Sequence, residues 1–123
     1  MDHRQNISDS EWKVLEVLWD KPGSLIGEIR QALSDSGWSY STIKTLVLRL
    51  TQKGALKVEE TDKGKKYYPA VNETKCRIRE TKNFLDRIYN GSVKMMVSNL
   101  VKDSNLSKDD AEELLSLIDK MEN

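Results

Sequence analysis

A mainly α fold carrying one small β-hairpin is predicted by two changes of hydrophobic period along the chain. Residues 7–54 place apolar side chains three and four apart, the spacing of helices that pack by one face. Ala55-Leu56-Lys57-Val58-Glu59 then alternates, Asp62-Lys63-Gly64 turns, and Lys66 to Val71 returns, which is the pattern of a half-buried hairpin. From residue 72 the helical spacing resumes and holds to the end. Short helices closed by a hairpin make a helix-turn-helix with a wing. The expected division is a winged helix-turn-helix domain over 1–71 and a three-helix dimerisation region over 72–123. A chain of 123 residues has room for one domain, or one small domain with such an appendage.

The first helix begins with its capping residues in place. Ser8 is set to cap, Glu11 completes a capping box, and Ile7 and Trp12 are spaced for a hydrophobic staple. The helix runs to about Trp19, with Trp12, Leu15, Leu18 and Trp19 toward a core and Val14 and Val17 beside them. Tryptophans at this spacing are core more often than a stacking platform. Pro22-Gly23 ends the helix, and Ser24 is expected to start the next. Leu25, Ile26, Ile29, Ala32 and Leu33 form the expected buried stripe of that second helix, which Asp35-Ser36-Gly37 breaks.

Trp38 anchors the approach to a third helix, with Ser39 as N-cap and Gly54 as stop. Ile43, Leu46, Val47 and Leu50 fall at i, i+3, i+4 and i+7 and share one face. The opposite face carries Ser41, Thr45, Leu48 and Gln52, flanked by Lys44 on one side and by Thr42 and Arg49 on the other. In the hairpin, Pro69 demands an edge or a strand end, and the tip gathers Lys63, Lys65 and Lys66.

The C-terminal part divides at Asn90-Gly91 and near Ser107. Its first helix carries Ile78, Phe84, Leu85 and Ile88, with Lys75, Arg77, Arg79 and Lys82 on the first half. Its second helix, from Ser92, is apolar around much of its circumference through Val93, Met95, Met96, Val97, Leu100 and Val101, so enclosure on several sides is expected. The third, capped by Ser107, is expected to bury Ala111, Leu114, Leu115, Ile118 and Met121. About 50 residues make too little core to stand alone, and the simplest cover is the same segment of a second copy. The expected dimer contacts are Phe84, Leu85, Ile88, Met96, Leu100, Leu114, Leu115 and Ile118.

Charge sharpens the functional reading. Net charge is zero, yet residues 39–82 carry 11 Lys/Arg against 5 Asp/Glu, between acidic flanks with 4 against 7 and 5 against 8. A basic middle is a localised anion-binding surface. It coincides with the third helix and the hairpin, where hydroxyls and basic groups meet base edges and phosphates in a DNA groove. Enzyme signals are weak. His3 is the only histidine, Cys76 has no histidine near it in sequence, and no Gly-rich phosphate loop or metal-ligand cluster occurs. Asp109, Asp110, Glu112 and Glu113 sit near a helix start, where they favour the macrodipole. No catalysis, cofactor or metal is expected. A single cysteine forms no intrachain disulfide, no signal peptide is evident and no apolar run approaches membrane-spanning length, so a cytoplasmic protein is expected.

The run Trp38-Ser-Tyr-Ser-Thr-Ile-Lys-Thr-Leu-Val-Leu-Arg-Leu50, followed by Gln52-Lys-Gly54, resembles the recognition-helix signature of the penicillinase repressors, the BlaI/MecI family. Ile7-Ser-x-x-Glu-Trp12 with Trp19, then Lys66-Tyr67-Tyr68, Lys82-x-Phe84-Leu85 and Tyr89-x-Gly91, extend the resemblance over nearly the whole chain. It implies a winged-helix repressor that dimerises through its C-terminal helices and binds a dyad-symmetric operator of resistance genes. It implies inactivation by a membrane sensor with a cytoplasmic metalloprotease domain that detects a β-lactam. Cleavage in that family follows an Asn that precedes Phe; here Asn99 is retained and Leu100 stands in place of the Phe. The staphylococcal members have Lys in place of Ser41 and Arg in place of Lys44, and Arg and Lys do not read bases alike. The Cys-x-Cys motif of the family's copper-responsive branch is missing, which argues against metal sensing.

The expected DNA contacts are Ser41, Thr42, Lys44 and Thr45 near the bases, with Arg49, Lys63, Lys65 and Lys66 on phosphates. Two other readings stay open at this level: a repressor of unrelated genes answering a small ligand, with Phe84, Met95 and Met96 near its pocket, and a winged-helix module that holds protein partners.

Overall fold

The computed structural model describes residues 6–103 and 107–121, residues 118–121 by their backbone alone. Its elements run α1 (Asp9–Asp20), α2 (Ile26–Ala32), α3 (Tyr40–Gln52), β1 (Leu56–Thr61), β2 (Gly64–Pro69), α4 (Glu73–Tyr89), α5 (Val93–Lys102) and α6 (Lys108–Met121). They fall into two compact units, Met1–Glu80 and Thr81–Asn123, divided within α4. The expected boundary was between residues 71 and 72. The first turns of α4 belong to the first core instead: Cys76 is buried in the same cluster as Ile7 and Leu15, and the Ile7 N–H donates to Glu80 Oε1 at 3.3 Å.

In the first unit the capping box forms as its sequence predicts. The Glu11 N–H donates to Ser8 Oγ at 3.1 Å and the Ser8 N–H donates to Glu11 Oε1 at 2.9 Å. Val14, Leu15 and Leu18 of α1 pack with Ile29, with Ile43, Leu46, Val47 and Leu50 of α3, and with Leu56 and Tyr67 of the hairpin. Trp12 and Trp19 are half-buried against this core, edge to face at 5.3 Å, and Trp19 Nε1 donates to the Val71 carbonyl at 3.1 Å. Burying the indole body while its N–H keeps a partner is the usual solution for a core tryptophan.

Ser24 does not open α2. It forms an antiparallel bridge with Tyr67, whose N–H donates to the Ser24 carbonyl at 2.9 Å while the Gly23 N–H donates to the Tyr67 carbonyl at 2.8 Å. The Ser24 hydroxyl is already committed to the Lys21 carbonyl at 2.7 Å, so Leu25 occupies the cap position. Gly23 has φ +84°, and a Cβ there would lie 3.1 Å from the Tyr68 ring, so only glycine fits this crossing without strain. The expected stripe of α2 is also narrower than its apolar pattern. Ile29 is buried, Leu25, Ile26 and Leu33 are half-buried, and Ala32 is exposed. A helix of seven residues makes barely two turns and presents little surface to the core.

Glu11 has a second role that its cap position does not reveal. The residue is 1 % exposed, and its carboxylate lies 2.6 Å from Lys53 Nζ, which also donates to the Asn6 carbonyl at 2.8 Å. Burial pushes the carboxyl pKa up, but the hydrogen bond from Lys53, the Ser8 N–H and the charge of Lys53 outweigh it and hold the group below its ordinary value. The start of α1 is thereby tied to the end of α3.

In the second unit, Ser92 Oγ accepts the Met95 N–H at 3.1 Å and Ser107 Oγ accepts the Asp110 N–H at 3.0 Å, so both caps fall where they are expected. Asn90 at φ 50° and Gly91 at φ 81° make the turn between α4 and α5. Val97 and Ala111 are buried, and Phe84 meets Tyr89 edge to face at 6.1 Å. Among the described residues the expected enclosure of α5 is only partial: Val97 is buried, whereas Met95, Leu100 and Val101 are exposed, since two and a half short helices offer little surface to cover them. Leu115 of α6 is likewise exposed rather than buried, and the side chains of Ile118 and Met121 lie outside the described residues.

Candidate nucleic-acid interface

α3 is held by one face and free on the other. Ser39 Oγ accepts the Thr42 N–H at 3.1 Å and starts the helix, while Ile43, Leu46, Val47 and Leu50 lock it into the core. Every side chain predicted to face outward does so: Ser41, Thr42, Lys44, Thr45, Leu48, Arg49 and Gln52 are all exposed. Lys44 and Arg49 have no ion-pair partner among the described residues. The Thr45 hydroxyl donates to the Ser41 carbonyl at 3.1 Å, which leaves its oxygen as an acceptor on the surface.

The wing stands beside this face. β1 and β2 pair antiparallel, with Val58 opposite Tyr67, Glu59 opposite Lys66, Glu60 opposite Lys65 and Thr61 opposite Gly64. A shallow concavity of about 570 Å³ lies between the two elements. Tyr40 and Lys44 of α3, Lys63, Gly64, Lys65 and Tyr67 of the wing, and Leu25 to Glu28 line it. Three lysines from two elements therefore converge on one groove, and converging cations are what a phosphate track requires.

The hairpin separates the lysines that the sequence groups together. Successive strand residues point to opposite faces, so Lys65 shares the face of Tyr67 and lines the concavity, whereas Lys66 points away from it. This was legible from the period of two. The wing also carries carboxylates. Lys65 Nζ lies 3.9 Å from Glu60 Oε2 with both groups exposed, a weak pair that leaves the lysine available. Glu59 accepts the Tyr68 hydroxyl at 3.0 Å, and that bond raises the phenol above its ordinary value.

Two arginines at the start of α4 are engaged elsewhere. Arg77 pairs with Glu73 at 2.7 Å and lies over the Trp12 ring at 5.6 Å, and Arg79 Nη2 donates to Cys76 Sγ at 3.7 Å. Tyr40, on the groove, is an exposed residue missing from the expected contacts, whereas Leu48, which the helical period places on the outward face, is exposed there as expected. Among the expected dimer contacts, Phe84, Ile88, Leu100 and Leu115 are exposed, while Leu85, Met96 and Leu114 are half-buried in their own unit. Met95, Val101 and Leu117 are further exposed apolar side chains there. Asn99 and Leu100 lie exposed in the last turn of α5, where the Asp103 N–H donates to the Asn99 carbonyl at 3.0 Å. Among the described residues, no group of three or more His, Cys, Asp or Glu side chains is arranged to hold a metal ion, and no helix is long and apolar enough to cross a membrane.

Three helices, a wing paired at its base, and an outward helix face of hydroxyl and basic groups define a winged helix-turn-helix DNA-binding protein. More narrowly, the chain belongs to the penicillinase repressor family, whose sequence profile matches residues 7–120. It is 33% identical to the methicillin resistance regulatory protein MecI of Staphylococcus aureus (strain N315) over 122 residues, covering 98% of this chain and 99% of that one. It is 34% identical to the penicillinase repressor of Bacillus licheniformis over 118 residues, covering 95% of this chain and 92% of that one. The solution structure of monomeric Bacillus licheniformis BlaI in complex with the blaP half-operator is similar, with a TM-score of 0.50 and 35% identity over 57% of this chain and 87% of that one.

Proposed function

We propose that this protein is a cytoplasmic, dimeric transcriptional repressor that binds a palindromic operator of β-lactam-resistance genes and is inactivated by proteolysis. The observation that carries the reading is the convergence of Lys44, Lys63 and Lys65 on one groove beside an α3 face with no acid on it. Ser41, Thr42, Lys44 and Thr45 lie nearest the bases. Arg49, Lys63 and Lys65 hold phosphates, and Lys66, on the reverse face of the wing, has the smallest share. Membership of the penicillinase repressor family supports the target genes.

Dimerisation supplies the second half-site. The exposed Phe84, Ile88, Leu100 and Leu115 of the second unit give it apolar surface for a second copy. A cut between Asn99 and Leu100, made by a membrane sensor-protease, removes α6 from the chain. The cut first requires the last turn of α5 to open, because a protease takes its substrate extended and the Asn99 carbonyl is tied to Asp103. A monomer then loses the avidity of two linked half-sites.

Genomic fragments bound by the purified protein, recovered and sequenced across a salt series, test the reading. The expected result is one palindrome upstream of a β-lactamase or sensor-protease operon, with affinity falling steeply as salt rises. A palindrome before unrelated genes would remove the β-lactam connection. Weak binding with no enriched sequence would refute the repressor and favour a protein-interaction module.

A further inference from the structure

The row at the centre of the outward face of α3 is Ser41, Thr45, Leu48 and Gln52, and Leu48 is its apolar member. Its side chain is 56 % exposed. At 3.6 residues per turn it lies roughly 150° around the helix from the middle of the buried stripe. That stripe is complete without it, since Ile43, Leu46, Val47 and Leu50 fill the core contact at 5 % exposure or less. This leucine lies outside the buried core cluster of the first unit, and its neighbours on the helix face are the exposed Ser41, Lys44, Thr45 and Gln52.

A rise of about 1.5 Å per residue sets Leu48 roughly 4.5 Å along the helix from Thr45, little more than one base-pair step. The groove offers an apolar side chain one regular partner, the 5-methyl group of thymine. A hydroxyl acceptor at Thr45 beside a branched alkyl group at Leu48 therefore makes a short polar-apolar pattern along one strand. We infer that Leu48 is a specificity-determining residue that reads a thymine methyl next to the base pair faced by Thr45. The inference rests on the DNA-reading role of α3 proposed above.

The test begins with selection from a random-sequence duplex library by the purified full chain. The enriched site is then rebuilt with each thymine replaced singly by deoxyuridine, which deletes the methyl and keeps the Watson–Crick edge. Wild-type protein is expected to lose about fourfold in affinity at one thymine per half-site, the worth of one buried methyl. Leu48→Ala is expected to lose a comparable factor on the thymine duplex and to bind the deoxyuridine duplex equally well. Its urea unfolding should stay close to wild type, because the residue is exposed and lies outside the core cluster. Equal wild-type affinity for thymine and deoxyuridine at every position would overturn the inference and leave the repressor intact. So would a Leu48→Ala variant that keeps the full thymine dependence. Failure to enrich any sequence would overturn the proposed function and this inference with it.

Discussion

Replacing Lys53 by Met leaves the Glu11 carboxylate buried without its cation. The pair is close, at 2.6 Å, with Glu11 almost fully enclosed and the Lys53 side chain 20% exposed. Removing one partner of a buried pair costs about 3–5 kcal/mol, because the remaining charge keeps its desolvation and loses its compensation. Glu11 still accepts the Ser8 N–H, and Lys53 is partly solvated, so the lower end applies, about 3 kcal/mol. For a unit of this size that is a fall in Tm of about 15 °C. Urea unfolding followed by tryptophan fluorescence reports it directly, since Trp12, Trp19 and Trp38 all belong to the first unit. The sign of the pH dependence follows from the native carboxyl being held below its ordinary value of 4.5. The stability it contributes is present above that ordinary value and is lost as pH falls through the lower native one. In Lys53→Met burial acts without the ammonium, the carboxyl pKa rises, and protonation relieves the variant first. The gap between wild type and variant should therefore narrow as pH falls from about 7 to about 4. Glu11→Gln combined with Lys53→Met should recover part of the loss, since Gln keeps the capping box. A Lys53→Met variant within about 0.5 kcal/mol of wild type, or a gap that pH leaves unchanged, would refute the reasoning.

Four further outcomes are expected. Lys44→Ala and Thr45→Ala should each weaken specific DNA binding by about 1–3 kcal/mol, and unchanged affinity in both would dismiss this docking of α3. Lys63→Ala and Lys65→Ala should weaken all sequences alike and each lower the salt slope by about one, whereas Lys66→Ala should change it less; equal slopes for all three would deny the two-faced wing. Leu100→Glu with Leu115→Glu should give a monomer by sedimentation while the tryptophan-reported unfolding of the first unit stays as in wild type. Burial pushes the Cys76 thiol up, so alkylation should be slow in the native state and should accelerate in urea in step with unfolding; fast native labelling would contradict its enclosure.

Much of the fold is legible because short-range rules govern it. The Ser8/Glu11 box, the four-residue stripe of α3 and the Asp62-Lys63 turn depend on neighbours within a few positions, and each stands where the sequence places it. The pairing of Ser24 with Tyr67 joins residues 43 positions apart, and no local pattern marks it. A serine after Pro-Gly looks like a helix cap because the same hydroxyl serves a turn equally well. The partnership of Glu11 and Lys53 hides for the same reason, since each residue already has a sufficient local explanation as cap and as helix end. The candidate site is legible in its residue types and less so in its geometry. Hydroxyl and basic groups on α3 follow from the helical period, but the concavity that unites Lys44 with Lys63 and Lys65 exists only once β2 is anchored beside α2.

That anchoring sets the mechanics of the wing. Its root is fastened at the end of α3, where the Ala55 N–H donates to the Leu50 carbonyl at 2.9 Å, and again where Tyr67 pairs with Ser24. Beyond Tyr67 only three residues of each strand remain before the turn, a free length of roughly 10 Å at the usual rise per strand residue. The hairpin is thus a short cantilever clamped at its base to the helix that it accompanies. The clamp sets the distance between α3 and the root of the wing, at Ala55 and Tyr67. In the docking proposed above, small differences in groove width are met by bending of the free length toward Asp62-Lys63-Gly64, while the spacing at the root stays constant.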